Sequence, residues 1–413
     1  LLYMTEETPP QMTGISGTKV PTGRLRSLFY GLVTNKDLYI AAAVTMILTL
    51  TLILVQKAML SDTEFVTLSI VFASASFIAV IAQLGDDADV LATLGIDLAR
   101  TGLHRVVTRV VLISAVASLL SYFFNDAIRS FGLFQFLAFA SLFSLANWCY
   151  NLRRGQALMR HDNVDFRNTS LFCAIVRLVC FAVLVPFIGQ YAILSEVIAR
   201  IFLLPATSKS EDDTLHIASF TTQKFIRSGS YSTDSLVQSQ ALTAVSMIAA
   251  TNNAATMILA LRLMFYGTGA LSQIVGIFFN RAIFQRQPLS FAIFMIPGLA
   301  FALSLVGGIW LIHVFGGFER EEAVGAIAVV FAFLTFPSLH PLSRIFTAVD
   351  REWIKLVLQL VYCGMVVWVA SIADTLWPVV EVTAAFSVCY AVIFLMLVRK
   401  YRYNLGNSQG DSC

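Results

Sequence analysis

Leu38 to Gln56 reads LYIAAAVTMILTLTLILVQ and Phe65 to Leu84 reads FVTLSIVFASASFIAVIAQL, two runs with no Asp, Glu, Lys or Arg in either. The eight residues that separate the runs, KAMLSDTE at 57–64, hold three charges. A helix rises about 1.5 Å per residue, so roughly 20 apolar residues match the 30 Å hydrocarbon core of a bilayer. A helical hairpin that crosses a membrane twice follows from this one stretch. The rest of the chain repeats the theme: 57% of its 413 residues are hydrophobic and only 13% charged, with a mean hydropathy of +0.77. A soluble fold keeps about a quarter of its residues charged. Soluble, disordered, collagenous and disulfide-scaffold classes are therefore excluded.

By length and apolarity the sequence predicts an all-α polytopic membrane protein of about twelve spans: 38–56, 65–84, 106–124, 131–150, 169–187, 189–206, 228–251, 254–280, 289–313, 322–348, 353–372 and 376–398. The run 228–251 is the least apolar, because it opens on Ser228-Gly-Ser-Tyr-Ser-Thr-Asp-Ser. Charge bias retains it. Twenty-two of the 28 Lys and Arg residues fall in the tails and in the loops after even-numbered spans, among them Arg153, Arg154, Arg160, Arg167, Arg344, Arg351 and Lys355. Lys57, Arg129 and Arg320 fall on the other side, and Arg177, Arg200 and Arg262 within spans. The positive-inside rule then places both termini in the cytoplasm. The expected organisation is a cytoplasmic tail 1–37, a six-helix bundle 38–206, a polar linker 207–227, a second six-helix bundle 228–399 and a cytoplasmic tail 400–413. The first 35 residues carry Pro9, Pro10 and Pro21 and no cleavable signal pattern, so the first run is expected to stay as an anchor.

The opposite-side loops, 57–64, 125–130 and 316–321, are too short for a catalytic domain. His104, His161, His216, His313 and His340 are scattered, and no H-E-x-x-H, G-x-S-x-G or Walker pattern occurs. The cysteines, Cys149, Cys173, Cys180, Cys363, Cys389 and Cys413, form no C-x-x-C pair and read as reduced. A net charge of +3 gives no case for nucleic acid. An enzyme is not expected, and no cofactor or metal is implied. A secondary transporter, a scramblase or a channel remains.

Ionisable groups inside spans carry an insertion cost of about 2.5–3.5 kcal/mol each, so they are the candidates for function. Arg177 and Arg262 lie too deep for easy snorkelling, and Arg200 lies nearer a span end. Glu196 stands four residues before Arg200, the order that favours an intrahelical ion pair; structural neutralisation and ion coupling both fit it. Tyr231, Asp234 and Gln238 fall on one broad helical stripe, suited to a polar path, although Asp234 also suits an interfacial first turn. His340, between Pro337 and Pro341, is a candidate proton site.

Met59-Leu-Ser-Asp-Thr-Glu-Phe-Val-Thr-Leu-Ser-Ile70, Ile81-Ala-Gln-Leu-Gly85 and Leu94-Gly95, within the stretch Leu54–Arg100, resemble the start of polysaccharide flippases of the multidrug/oligosaccharidyl-lipid/polysaccharide (MOP) exporter superfamily. The basic stretch Arg153–Arg167, Ile175-Val-Arg177 and the polar seventh span leading into Ala255–Arg286 extend the likeness over most of the chain. Length and span number are similar to those of Wzx-type O-antigen flippases. The resemblance implies a MATE-like pair of six-helix bundles around a central cationic cavity in the bacterial plasma membrane. It further implies outward movement of an undecaprenyl-diphosphate-linked glycan, with polysaccharide assembly proteins as partners beside membrane lipids. Energy must come from a H+ or Na+ gradient or from removal of product. Arg177, Arg200 and Arg262 would hold the diphosphate, with Tyr231, Asp234 and Gln238 lining the path; Glu196, Asp234 or His340 would couple the ion. A cation-coupled multidrug or small-solute exporter of the same superfamily is the alternative, and a membrane-embedded glycan polymerase or ligase a more distant one.

Overall fold

The first two apolar runs are helices that meet in a tight turn. A computed structural model describes residues 36–83, 103–159, 162–203, 240, 242–247, 254–259, 261–263, 266, 346, 349, 351–373 and 377–410. Helix α1 (Lys36–Met59) and helix α2 (Asp62–Gln83) are joined through Ser61. The Ser61 hydroxyl and amide both donate to Glu64 Oε2, at 2.7 and 3.0 Å, while Glu64 N returns a bond to Ser61 Oγ. This is the Ser-x-x-Glu capping box, and it satisfies amides that a helix start otherwise leaves bare. Lys57 pairs with Asp62 across the same turn.

Helix α3 (Leu103–Phe124) ends where Asn125 caps α4 (Asp126–Phe131), accepting from Ala127 N and Ile128 N. The segment 125–130, expected as a loop, is therefore mostly a short helix. Gly132, at φ +102°, turns the chain into α5 (Leu133–Met159). Asp162 then caps α6 (Asn163–Ile188). The expected basic loop 153–167 is corrected by these bounds. Arg153 and Arg154 belong to the last turns of α5, Arg167 belongs to the start of α6, and only residues 160–162 connect the two helices. Ionic and ring contacts hold this joint helical: Arg153 lies 2.9 Å from Asp165, Arg167 lies 2.5 Å from Asp37 on α1, and Arg154 stacks between Tyr150 and Phe166.

The expected sixth span, 189–206, is also revised. Its first six residues form a 3-10 turn (Gly189–Leu194), and the described helix is α7 (Ser195–Ile201). Pro186 sits in the last turn of α6 without ending it, and Gly189, at φ +53°, makes the reversal. A Cβ there would meet the end of the Glu64 side chain at 2.9 Å, which can give way, so it is the positive φ that favours glycine. After the reversal α7 runs back antiparallel along α6, bringing Ala199 and Leu203 into one cluster with Cys173.

Helix α2 is the axis of this assembly: 67% of its spanning window is buried, against 17% for the peripheral α3. Lipid gives helices little hydrophobic reason to associate, so close packing must hold them. Phe72 meets Phe143 edge-on, and Phe143 stacks on Phe139, both at 5.6 Å between centroids. Tyr191 in the 3-10 turn packs on Phe131 and donates to its carbonyl. The α1–α2 turn, α4 and the 3-10 turn thus share one end of the bundle, called here the Asn125 end; the joint of α5 with α6 marks the Arg167 end.

The second half is described in part. Helix α8 (Ala254–Leu263), α9 (Glu352–Ile372) and α10 (Trp377–Gly410) are seen. Helix α9 buries Glu352, Lys355, Gln359, Tyr362 and Val366 on one face, so Lys355 is a buried residue and not the loop cation that charge counting suggested. Tyr362 packs on Phe386 of α10 at 4.6 Å. Helix α10 continues to Gly410, through most of the expected tail 400–413. The spans expected at 289–313 and 322–348 and the linker 207–227 lie wholly or almost wholly outside the described residues. Among the described residues six helical segments are long and apolar enough to cross a membrane, and the chain is an all-α multi-pass membrane protein. No disulfide occurs among them.

Candidate functional site

Reversal at Gly189 has a chemical consequence. It lays the first turn of α7 against the middle of α6, so that Glu196 faces Arg177, and the i,i+4 spacing brings Arg200 to the same carboxylate. Arg200 Nη1 is 2.6 Å from Glu196 Oε2 and donates also to the Glu196 carbonyl at 2.7 Å. Arg177 Nη1 is 3.6 Å from the same Oε2. Its Nη2 donates to Thr49 Oγ1 on α1. The Arg200 guanidinium also lies over the rings of Phe143 and Tyr150, at 5.0 and 5.6 Å.

A third guanidinium arrives from the other half of the chain. Arg262 on α8 donates to Ser69 Oγ at 2.9 Å and sits over Phe65, 5.5 Å from the ring centroid. Its charge reaches Glu196, and Tyr266 stands beside it. All four charged groups are enclosed: Glu196 is 4% exposed, Arg262 5%, and Arg177 and Arg200 7% each. Among the described residues, three cations against one carboxylate leave two uncompensated positive charges. Buried charges are normally paired and hydrogen-bonded, because removing an ion from water costs several kcal/mol. Here the pairing is incomplete. Among the described residues Arg177 Nε and Arg200 Nε are buried donors with no acceptor, and Ser170 Oγ and Ser195 Oγ on the same two helices are likewise unmatched. Such a constellation is suited to an anion that presents several oxygens, for which guanidinium forks are the best geometric match. No cluster of His, Cys, Asp and Glu fit for a metal occurs among the described residues.

No family model matches this sequence, and no curated protein does. Solved structures do match. The MATE multidrug transporter DinF-BH, solved with a bound ligand, shares 14% identity over 89% of this chain and 95% of its own, with a TM-score of 0.54. A MOP superfamily transporter from Pyrococcus furiosus aligns at 14% identity over 90% and 96%, with a TM-score of 0.51. A MATE protein in the bent conformation aligns at 13% identity over 90% and 96%, at 0.50.

The chain has the MATE fold.

Within this MATE fold the structure brings Arg177, Arg200, Arg262 and Glu196 together. Tyr231, Asp234, Gln238 and His340 lie outside the described residues. Sequence reading missed the neutral partners. Thr49 carried a faint signal, since Thr45 and Thr49 repeat at i,i+4 in an otherwise apolar run, and Ser69 belongs to the hydroxyl-bearing face of α2. Phe65, Phe143 and Tyr150 carried none, because aromatic residues in an apolar helix look alike whether they face lipid or a guanidinium.

Proposed function

We propose that this protein is a MOP-superfamily transporter that carries an anionic, lipid-linked substrate across the membrane by alternating access. The preferred substrate is a polyprenyl-diphosphate-linked oligosaccharide of the kind assembled into surface polysaccharide. The observation that carries this reading is the excess of two buried positive charges in the Arg177, Arg200, Arg262 and Glu196 cluster. A diphosphate bears about two negative charges, and charge-assisted hydrogen bonds to guanidinium would replace its hydration inside the bundle. The polyprenyl tail would stay in lipid. The Pyrococcus furiosus transporter of similar fold has a binding pocket of reverse polarity that suggests a different function for that protein. The reading includes a bacterial plasma membrane with both termini in the cytoplasm, which is what the basic residues at the Arg167 end support.

A second reading has its own support. DinF-BH, of similar fold, is a multidrug transporter, and Glu196 is a buried carboxylate of the type that can exchange a proton or sodium ion for a cationic drug. The two are separated by reconstituting the purified protein into vesicles. Movement of a fluorescent polyprenyl-diphosphate-linked sugar between leaflets, lost in Arg177→Ala, supports the first. Gradient-driven uptake of the lipophilic cation tetraphenylphosphonium, with no movement of the lipid-linked sugar, replaces it with the second.

A further inference from the structure

The Asn125–Thr243 and Arg262–Ser69 hydrogen bonds both join the halves of the chain, and they lie toward the same end. Asn125, which caps α4, donates through Nδ2 to Thr243 Oγ1 at 3.2 Å. Arg262 donates to Ser69 and covers Phe65. Ser69 is seven residues from the first residue of α2, which is about 10 Å below the Asn125 end. Between these contacts one apolar core runs across the join: Leu242, Val245, Ala255 and Ile258 share a single cluster with Phe65, Ile128 and Phe131. The Arg262 seat is unusual in such a seam. A guanidinium that is 5% exposed is held there by neutral groups, the Ser69 hydroxyl and the Phe65 ring across the join and the Tyr266 hydroxyl on its own side, while Glu196, whose charge reaches it, is engaged by Arg177 and Arg200.

We infer that Arg262 is a two-position latch: seated on Ser69 and Phe65 it closes the protein at the Asn125 end, together with the Asn125–Thr243 bond, and an anionic group bound beside Glu196 draws it out of that seat. The inference rests on the anion-transport reading for its second step only. Its physical basis is a difference in partners. Ser69 and Phe65 offer a neutral hydrogen bond and a quadrupole, whereas an oxyanion offers a charge-assisted bidentate bond of about twice the strength. A ligand shifts a conformational equilibrium by its differential affinity for the two states, and Arg262 supplies that difference because its neutral seat exists only when the halves are closed. Substrate binding would then loosen the Asn125 end, so that opening there is linked to a loaded site.

The test is cross-linking in the full-length protein, with native cysteines replaced by serine or alanine and Asn125→Cys and Thr243→Cys introduced. Only protein that elutes from a sizing column as the parent does is scored. A second pair, Ala127→Cys with Thr243→Cys, keeps both the Asn125 cap and Arg262 and repeats the measurement where loss of the cap disturbs folding. The expected results are efficient bridging by a short bifunctional thiol reagent, loss of transport in vesicles on bridging of the first pair, and recovery on reduction. Farnesyl diphosphate, used as an anionic probe, should slow bridging of the first pair severalfold, and tetraphenylphosphonium should not. Adding Arg262→Ala to the first pair should slow bridging without any probe and remove the farnesyl diphosphate effect. Failure of both pairs to bridge, or undiminished transport by bridged protein, overturns the latch whatever the substrate. Bridging that blocks transport but is slowed only by tetraphenylphosphonium leaves the closed seam standing and overturns the anion reading, and with it the release step.

Discussion

Arg200 holds Glu196 twice, by the carboxylate at 2.6 Å and by the main-chain carbonyl at 2.7 Å, so the guanidinium caps a turn of its own helix while it neutralises the charge. The same carboxylate oxygen faces Arg177 on α6. One carboxylate thereby fixes the relative height of two helices on either side of the Gly189 reversal.

Removal of that carboxylate should be severe. Glu196→Ala leaves Arg177 and Arg200 buried without a counter-charge, a change worth about 3–5 kcal/mol when a buried pair is broken. Glu196→Gln should lose less, because the amide oxygen still accepts from Arg200. Thermal unfolding in detergent micelles checks this, and equal midpoints for Glu196→Ala and the parent would sink it.

Transport should depend on guanidinium geometry and not only on charge. Arg177→Ala and Arg262→Ala are expected to lower flipping of a polyprenyl-diphosphate-linked sugar by about tenfold or more, since a lost charged hydrogen bond is worth roughly 1.5–3 kcal/mol. Arg177→Lys should recover only part, because one ammonium cannot serve Thr49, Glu196 and a ligand oxygen in the plane that the fork provides. Surface polysaccharide measured at matched protein levels gives the cellular readout.

Gly189→Ala combines a backbone penalty at φ +53° with a contact of 2.9 Å to Glu64. Strained positions of this kind cost about 1–3 kcal/mol. The expected outcome is a lowered midpoint of thermal unfolding in detergent micelles, set mainly by the backbone strain; an unchanged midpoint would count against it.

The outer surface can be checked with light. Trp368 on α9 is 62% exposed and Trp148 on α5 is 2% exposed. In single-tryptophan variants reconstituted with brominated lipid, Trp368 should be strongly quenched and Trp148 hardly at all. Equal quenching would mean that the face of α9 bearing Trp368 is not in contact with acyl chains.

Hydropathy made the crossings legible where charge and apolarity alternate cleanly, as in the hairpin of α1 and α2. It failed where composition does not change with direction. The expected break between 169–187 and 189–206 falls where α6 does end, but Gln190 to Leu194 is as apolar as a span start, and nothing there marks a 3-10 turn before α7. It failed again at the joint of α5 and α6, where Arg153, Arg154 and Arg167 look like loop cations and are instead the helix-end partners of Asp165, Phe166 and Asp37. The arginines of the site were visible because hydrocarbon tolerates so few. Their convergence was not, since Arg262 reaches Ser69 across 193 positions of sequence and only the folded chain brings them together.

Three guanidinium groups against one carboxylate also make the unloaded protein an electrical object. Each elementary charge moved across the full membrane potential is worth about 2.3 kcal/mol per 100 mV. Any rearrangement that shifts this doubly positive knot along the membrane normal must therefore do work on, or draw work from, the cell's voltage. If the cargo is the dianion proposed above, it would cancel the charge, and then the unloaded return stroke would sense the voltage while the loaded stroke would be blind to it.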